Sequence, residues 1–307
     1  MRHRRKTRRS GWHPRYWTSW ALVGTLWLIG FLPLPVSRGL GVLVGLAMFA
    51  TNAKRRRIGR TNLRLAFPER SDRERRLLLR RHFFVSGQAY LDVGFLAVAS
   101  ERRFRRAIHV NGAEILARVA GPNRRLILIA PHCVGMNVGG LVYAGSYKGI
   151  SMFKPQRNPA ANWLLAKIRL RYRSDLVPRE AGLRPIVRAI KNGVGFYYLP
   201  DEDLGPEQSI FAPFFGVPRA TVPILGRLAR MTDAQVVPIF TRLLPNGRGY
   251  EVIYREPLAN FPTGDDVQDA TAMNDAFEAG IREMPEQYMW TLKIFRSRPD
   301  GGPSPYA

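Results

Sequence analysis

The stretch LILIAPHCVGMNVGG (126–140) decides how this chain is read. With the residues around it, RRLILIA (124–130) is a strand by length and apolarity. The run stops at Pro131, and His132 follows at once. VGGLVYAG (138–145) then starts a helix, and the glycines at 135, 139 and 140 permit a bend between the two. In open α/β sheets, sites lie beyond the carboxyl ends of strands. A histidine there projects into the crevice, and its ordinary pKa near 6.5 suits a general base. Alone, a histidine at a strand end is more often structural. Five residues on, where a base wants an acidic partner, stands Asn137. Five residues of ideal helix turn through about 500°. The two side chains therefore meet only if His132 lies in the loop and residue 137 in the first helical turn.

The same alternation continues outward. GRTNLRLAFPERSDRERRLLLRRHFFVSGQAYLDV (59–93) reads as a turn and then a helix, with Ser71 as N-cap and Glu74 completing a capping box. NWLLAKIRLRY (162–172) is helical, and LRPIVRAIKNG (183–193) is a helix closed by Gly193. VGFYYLP (194–200) and AQVVPIFTRLL (234–244) are strands. GYEVIYREPL (249–258) is a further strand, paired with the preceding one through the PNGRG turn (245–249). These elements predict an α/β fold, a mixed central sheet flanked by helices, over residues 55–307. YYLPDEDLGPEQSIFAPFFGVPRAT (197–221) places Asp201, Glu202 and Asp203 at another strand end, followed by a loop rich in proline and phenylalanine. Paired carboxylates there suit a metal or, more ordinarily, loop capping.

Residues 1–54 read as a basic N-terminus and a helical membrane anchor. The first fifteen residues carry seven Arg/Lys and no acid. An apolar stretch follows over 17–34, a second over 39–50, and then KRRR (54–57). A bilayer core takes about 20 apolar residues as a helix, so the first run barely suffices and Pro33 and Pro35 limit its end. One kinked span, a span plus an interfacial helix and a re-entrant hairpin all fit. Trp12, Trp17, Trp20 and Trp27 suit an interfacial belt. A secretory signal lacks its small-residue cleavage site here. The net charge of +25 favours acidic partners such as anionic lipid or an acidic carrier protein. Nucleic acid fits poorly, since the basic residues flank apolar runs and no nucleic-acid module is visible. The lone cysteine, Cys133, excludes a disulfide framework, and the five histidines do not cluster as metal ligands.

Several segments in order resemble the bacterial lipid A late acyltransferases, the lauroyl and myristoyl transferases of the lysophospholipid acyltransferase superfamily. They are TNLRLAFPE (61–69), APHCVGMN (130–137), FKPQRNP (153–159) with RLRY (169–172), the 197–221 segment, and MPEQYMWTLKIFRSRPDGGPSPY (284–306). The resemblance implies transfer of an acyl chain from acyl-acyl carrier protein, as co-substrate and without other cofactor, to a hydroxyl of a lipid A precursor. The implied place is the cytoplasmic face of the bacterial inner membrane. The family's histidine-x4-acid motif falls on His132 and residue 137, so His132 is the implied base. Arg169 is implied at the oxyanion or a phosphate. Arg171, Lys154, Arg157, Asp201 and Asp203 are implied around the substrates. Asn137 departs from the motif: an amide fixes a tautomer but supplies no charge, and Asp→Asn beside a catalytic histidine costs about 10⁴ in rate. Three accounts follow: a carboxylate such as Asp201 or Asp203 serves His132, the chain binds lipid or carrier without catalysis, or Asn137 was introduced. Another lipid acceptor is the remaining alternative. If residue 137 is the ring's partner, Asn137→Asp should speed transfer at least about tenfold. Cys133 offers an acyl-thiol route that direct transfer does not need.

Overall fold

The computed structural model describes residues 13–121, 123–171 and 174–306, apart from the side chains of residues 170, 171 and 174. The basic run over 1–12, with Trp12, lies outside the described residues.

Four helices come first: α1 (Trp17–Ile29), α2 (Leu34–Thr51), α3 (Ala53–Ala66) and α4 (Asp72–Val98). Ser71 and Glu74 form the reciprocal capping box at the start of α4, as the sequence predicts. Next come α5 (Glu101–Arg106), β1 (Ile108–Asn111), α6 (Ala113–Val119), β2 (Leu126–Ile129) and α7 (Met136–Ser146). The chain continues through β3 (Gly149–Phe153), α8 (Pro159–Arg171), β4 (Ser174–Pro178), α9 (Arg184–Lys191) and β5 (Gly195–Tyr198). Then follow β6 (Ile210–Phe214), β7 (Val217–Thr221), α10 (Ile224–Thr232), β8 (Gln235–Leu243), β9 (Tyr250–Tyr254) and α11 (Asp266–Glu283).

Seven strands form one sheet in the order β1-β9-β8-β2-β5-β3-β4. Every pair in it is parallel except β8–β9, the hairpin anticipated at PNGRG. The sheet is thus mixed and flanked by helices, as predicted. Its central strand β2 is buried at all four positions, because helices cover both faces; hence the unbroken apolar run. One apolar core on each side carries these contacts. The segment expected as a proline-rich loop instead folds as the antiparallel hairpin β6–β7, apart from the main sheet.

The N-terminal helices differ from the simplest expectation. The first apolar run ends as α1 after 13 residues, about 20 Å at 1.5 Å per residue and too short for a bilayer core. The helix long and apolar enough to cross a membrane, by length and composition, is Leu34–Thr51. It lies along α4 at close range: a β-carbon on Gly87 would collide with the backbone of Gly41 and Gly45. Arg38, in the second turn of this apolar helix, is 2% exposed. Its guanidinium meets Asp92 of α4 at 3.1 Å and donates to the carbonyls of Leu244 and Gly249, each at 2.9 Å. It also lies 4.7 Å over the Tyr250 ring. One buried cation thereby ties α2 to α4 and to the β8–β9 turn.

Removing one partner of a buried ion pair costs about 3–5 kcal/mol, because the other charge is left without compensation. Arg38→Met should therefore lower unfolding stability in detergent by that amount, and Asp92→Leu in the same chain should recover most of it. An Arg38→Met protein that melts like the unaltered one would show that the pair contributes nothing.

Candidate active site

β2 and β5 are parallel neighbours with Ile129 opposite Tyr198, and the Ala130 N–H extends the ladder to the Tyr198 carbonyl at 2.9 Å. Parallel strands end on the same side of a sheet. The third residue beyond each of these paired positions is a functional side chain, His132 after β2 and Asp201 after β5. They meet there: His132 Nδ1 lies 2.5 Å from Asp201 Oδ1, and the His132 backbone N–H donates to Asp201 Oδ2 at 2.8 Å. The Tyr288 hydroxyl donates to Oδ2 as well, at 3.1 Å.

The far ring nitrogen, Nε2, faces Glu202 Oε1 at 3.8 Å, and Arg179 holds the other oxygen of Glu202 at 2.7 Å. Burial pushes the His132 ring down, but the Asp201 carboxylate, by charge and hydrogen bond, and then Glu202 outweigh it and Arg179; the net shift is upward. Burial pushes Asp201 up, and the charge and hydrogen bonds of His132 together with the charge of Arg219 more than reverse it. Asp201 is thus an anion. A carboxylate only accepts, so Nδ1 is protonated, and in the neutral form of the ring Nε2 is the free base.

His132 opens on a cavity of about 310 Å³. Asn137, Lys154, Arg169, Arg179 and Glu202 give it polar walls, and Val93, Leu96, Leu141, Leu165 and Ile168 an apolar flank. Burial lowers the pKa of Arg169, whose guanidinium lies 5.9 Å over the Phe153 ring.

The sequence-predicted residues divide accordingly. His132, Asn137, Lys154 and Arg169 share the cavity wall. Asn137 does occupy the first turn of α7, yet the acids facing the ring are Asp201 and Glu202. Asp201, expected at the substrate, is fully buried behind the ring and spends its oxygens on His132 and Tyr288. Asp203, expected there too, is turned into the protein, where it accepts from the Ser297 N–H at 2.7 Å and hydroxyl at 2.8 Å. That hydrogen-bonding capacity is used to fix the C-terminal segment. Arg157 is exposed and is not part of the cavity wall. The Arg171 side chain lies outside the described residues. Among the described residues no group of His, Cys, Asp and Glu is placed to hold a metal ion. Tyr288, Arg179 and Arg219 were not singled out in the sequence; the equal offsets of His132 and Asp201 from two strand ends are a signal that register alone makes visible.

Cys133 follows the catalytic candidate but points into the core, 1% exposed. Burial and the Asp201 charge push its thiol well above the ordinary value. A thiolate is the reactive form, so the native protein should resist a maleimide at neutral pH and label only on unfolding. Rapid labelling of the folded protein would refute this placement.

A model of the family described as bacterial lipid A biosynthesis acyltransferase matches residues 4–297. The chain is 36% identical over 295 residues to the lipid A biosynthesis lauroyltransferase of Escherichia coli (strain K12), covering 96% of each protein. It is 32% identical over 299 residues to the lipid A biosynthesis myristoyltransferase of the same strain, covering 96% of this chain and 91% of the relative. The palmitoleoyltransferase of that strain is 33% identical over 296 residues, with 96% of each covered.

Proposed function

Because this chain belongs to the bacterial lipid A biosynthesis acyltransferase family, we propose that it moves an acyl chain from acyl-acyl carrier protein to a hydroxyl of a lipid A precursor, with His132 as general base. The carrying observation is the His132–Asp201 contact at the mouth of a cavity with a polar wall that includes Lys154 and Arg169 and an apolar flank. The acceptor hydroxyl gives its proton to Nε2 as its oxygen attacks the thioester carbonyl. Asp201 holds the ring in the required tautomer and stabilises the imidazolium that forms. Lys154 and Arg169 bring positive charge to the phosphorylated acceptor and to the developing oxyanion. Collapse of the tetrahedral intermediate expels the carrier thiolate, which takes the proton back from the ring. Val93, Leu96, Leu141, Leu165 and Ile168 receive the acyl chain. A binding-only role rested on Asn137; an anionic partner at Nδ1 supports catalysis instead.

With purified acyl-acyl carrier protein and a lipid A precursor, His132→Ala should abolish transfer. Asp201→Asn should lower turnover by about 10⁴, the loss seen when such an aspartate becomes an amide. Cys133→Ala should be nearly neutral. Asn137→Asp should leave turnover close to that of the unaltered enzyme, not raise it tenfold, because the ring already has its anion. A large gain in Asn137→Asp, with Asp201→Asn harmless, would reverse these assignments.

The same reading puts the protein at the cytoplasmic face of the inner membrane through α1 and α2. Leu28, Phe31, Val36, Leu40 and Leu43 are exposed on that pair, with Leu28 and Leu43 at 71% and 62%. Val36, Leu40 and Leu43 follow the helical repeat and form one apolar face. Basic α3 adjoins it. A double Leu40→Glu, Leu43→Glu variant should stay folded and leave the membrane fraction in high salt, which screens the basic surface. Full retention of the folded variant would place the attachment elsewhere.

A further inference from the structure

Arg219 is a buried charge that the site as described does not use. It sits on β7 opposite Ala212 and is 1% exposed. Its Nη2 donates to Asn274 Oδ1 at 2.6 Å, and its guanidinium lies 4.0 Å over the Phe214 ring. Nε and Nη1 have no hydrogen-bond partner, and among the described residues Arg219 forms no ion pair. A buried guanidinium without a contacting acid costs several kcal/mol. A methionine or leucine would fill the same space more cheaply, so the charge calls for an explanation.

The packing around it leads to the active site. The Phe214 ring packs against Tyr288 at 6.1 Å, and the Tyr288 hydroxyl is bonded to Asp201. Asp201 is itself buried beside a ring that is neutral when it acts as a base. In that state the carboxylate has no formal positive charge in contact with it. We propose that Arg219 is a positioning residue of the His132–Asp201 dyad, a buried cation linked to Asp201 through the packed rings of Phe214 and Tyr288, which balances the Asp201 charge while His132 passes between its neutral and protonated forms. A positive charge at Arg219 favours the anionic form of Asp201 and of the Tyr288 phenol. The inference rests on the catalytic reading of His132 given above, and deepens it.

The sign follows from charge alone. Removing a nearby cation favours the imidazolium, so the ring keeps its proton to higher pH. The other groups facing the dyad are unchanged: Glu202 and Arg179 on the cavity side, and Cys133, Tyr197, Tyr198 and Tyr288 within the core. Two variants remove the field by different means. Arg219→Met deletes the charge at similar volume. Asn274→Asp sets an anion on Nη2, giving up the amide's hydrogen bond to the Pro213 carbonyl, and keeps the guanidinium in place. Arg219→Lys retains the charge.

Two measurements on the full chain in detergent test the proposal: the pH dependence of acyl transfer, and the titration of the His132 ring followed by NMR of ring-labelled protein. In Arg219→Met and Asn274→Asp, both the acid limb of the rate and the ring titration should rise by about one pH unit. Arg219→Lys should stay near the unaltered protein. Should Arg219→Met fail to fold, Asn274→Asp carries the test. A His132 titration unmoved in a folded variant that lacks the field, or moved equally in Arg219→Lys, overturns the role. The ring titration is read without turnover. If it moves as expected while His132→Ala still transfers acyl chains, the catalytic reading fails and the role of Arg219 survives. If transfer depends on His132 and the titration stays fixed, the reverse holds.

Discussion

The carboxylate of Asp201 is the point on which the site depends. It is buried, which by itself favours the neutral acid. It accepts from the His132 ring, the His132 backbone N–H and the Tyr288 hydroxyl, and hydrogen bonds to a charged acceptor are roughly twice as strong as neutral ones. The three donors come from two stretches far apart in sequence, the turn after β2 and the C-terminal segment. One anion therefore sets the tautomer of the ring, fixes the loop that carries it and docks the chain's end against the sheet.

The C-terminal segment explains why so much sequence outside the cavity bears the family pattern. The Val134 N–H donates to the Gln287 carbonyl at 2.9 Å, and the Met289 N–H to the His132 carbonyl at 2.8 Å, so residues 287–289 run beside the histidine loop as a strand would. Gln287 in turn uses its amide to bind both backbone groups of Leu243 at the end of β8. From the other side, Asn62 of α3 donates to the carbonyls of Trp290 and Leu292 at 2.6 and 2.7 Å. The segments TNLRLAFPE and PEQYMW thus form two layers of support behind His132. A catalytic geometry held to fractions of an ångström needs such support, and buried backbone groups must find partners in any case.

The strands that were legible in the sequence are those buried on both faces. β2, β5 and β8 are apolar runs bounded by turn signals, and β9 follows from the turn that joins it to β8. The edges were not legible. β1 (Ile108–Asn111) has three exposed positions of four, so no apolar run marks it; on the other side β3 is fully buried at only two of its five positions, and β4 is the outermost strand. The β6–β7 hairpin pairs Pro213 with Pro218. Proline argues against a central strand, and only a two-stranded ribbon with free outer edges tolerates this pairing. α11 carried a readable signal in Ala270, Met273, Phe277 and Ile281 on one face, with Asp265 as its cap. His132 was legible because a strand end and a family motif coincide there. Its partner was not, because contact between residues 69 apart in sequence depends on which strands are neighbours and in what register.

Asn137 follows from the same geometry. A residue in the first turn of α7 faces the cavity with Lys154 and Arg169, on the open side of the ring and not behind it. An acid there adds negative charge to a wall that, on the proposed function, receives a phosphorylated glycolipid. It also adds an anion to a ring already flanked by Asp201 and Glu202. Each further carboxylate favours the imidazolium, and a base protonated at rest cannot take a proton. With Asp201 ionised and already bonded to Nδ1, the amide at 137 leaves the cavity more positive and the ring more often neutral. The position that looked crippled in the sequence is, in this arrangement, one where losing the charge costs the dyad little.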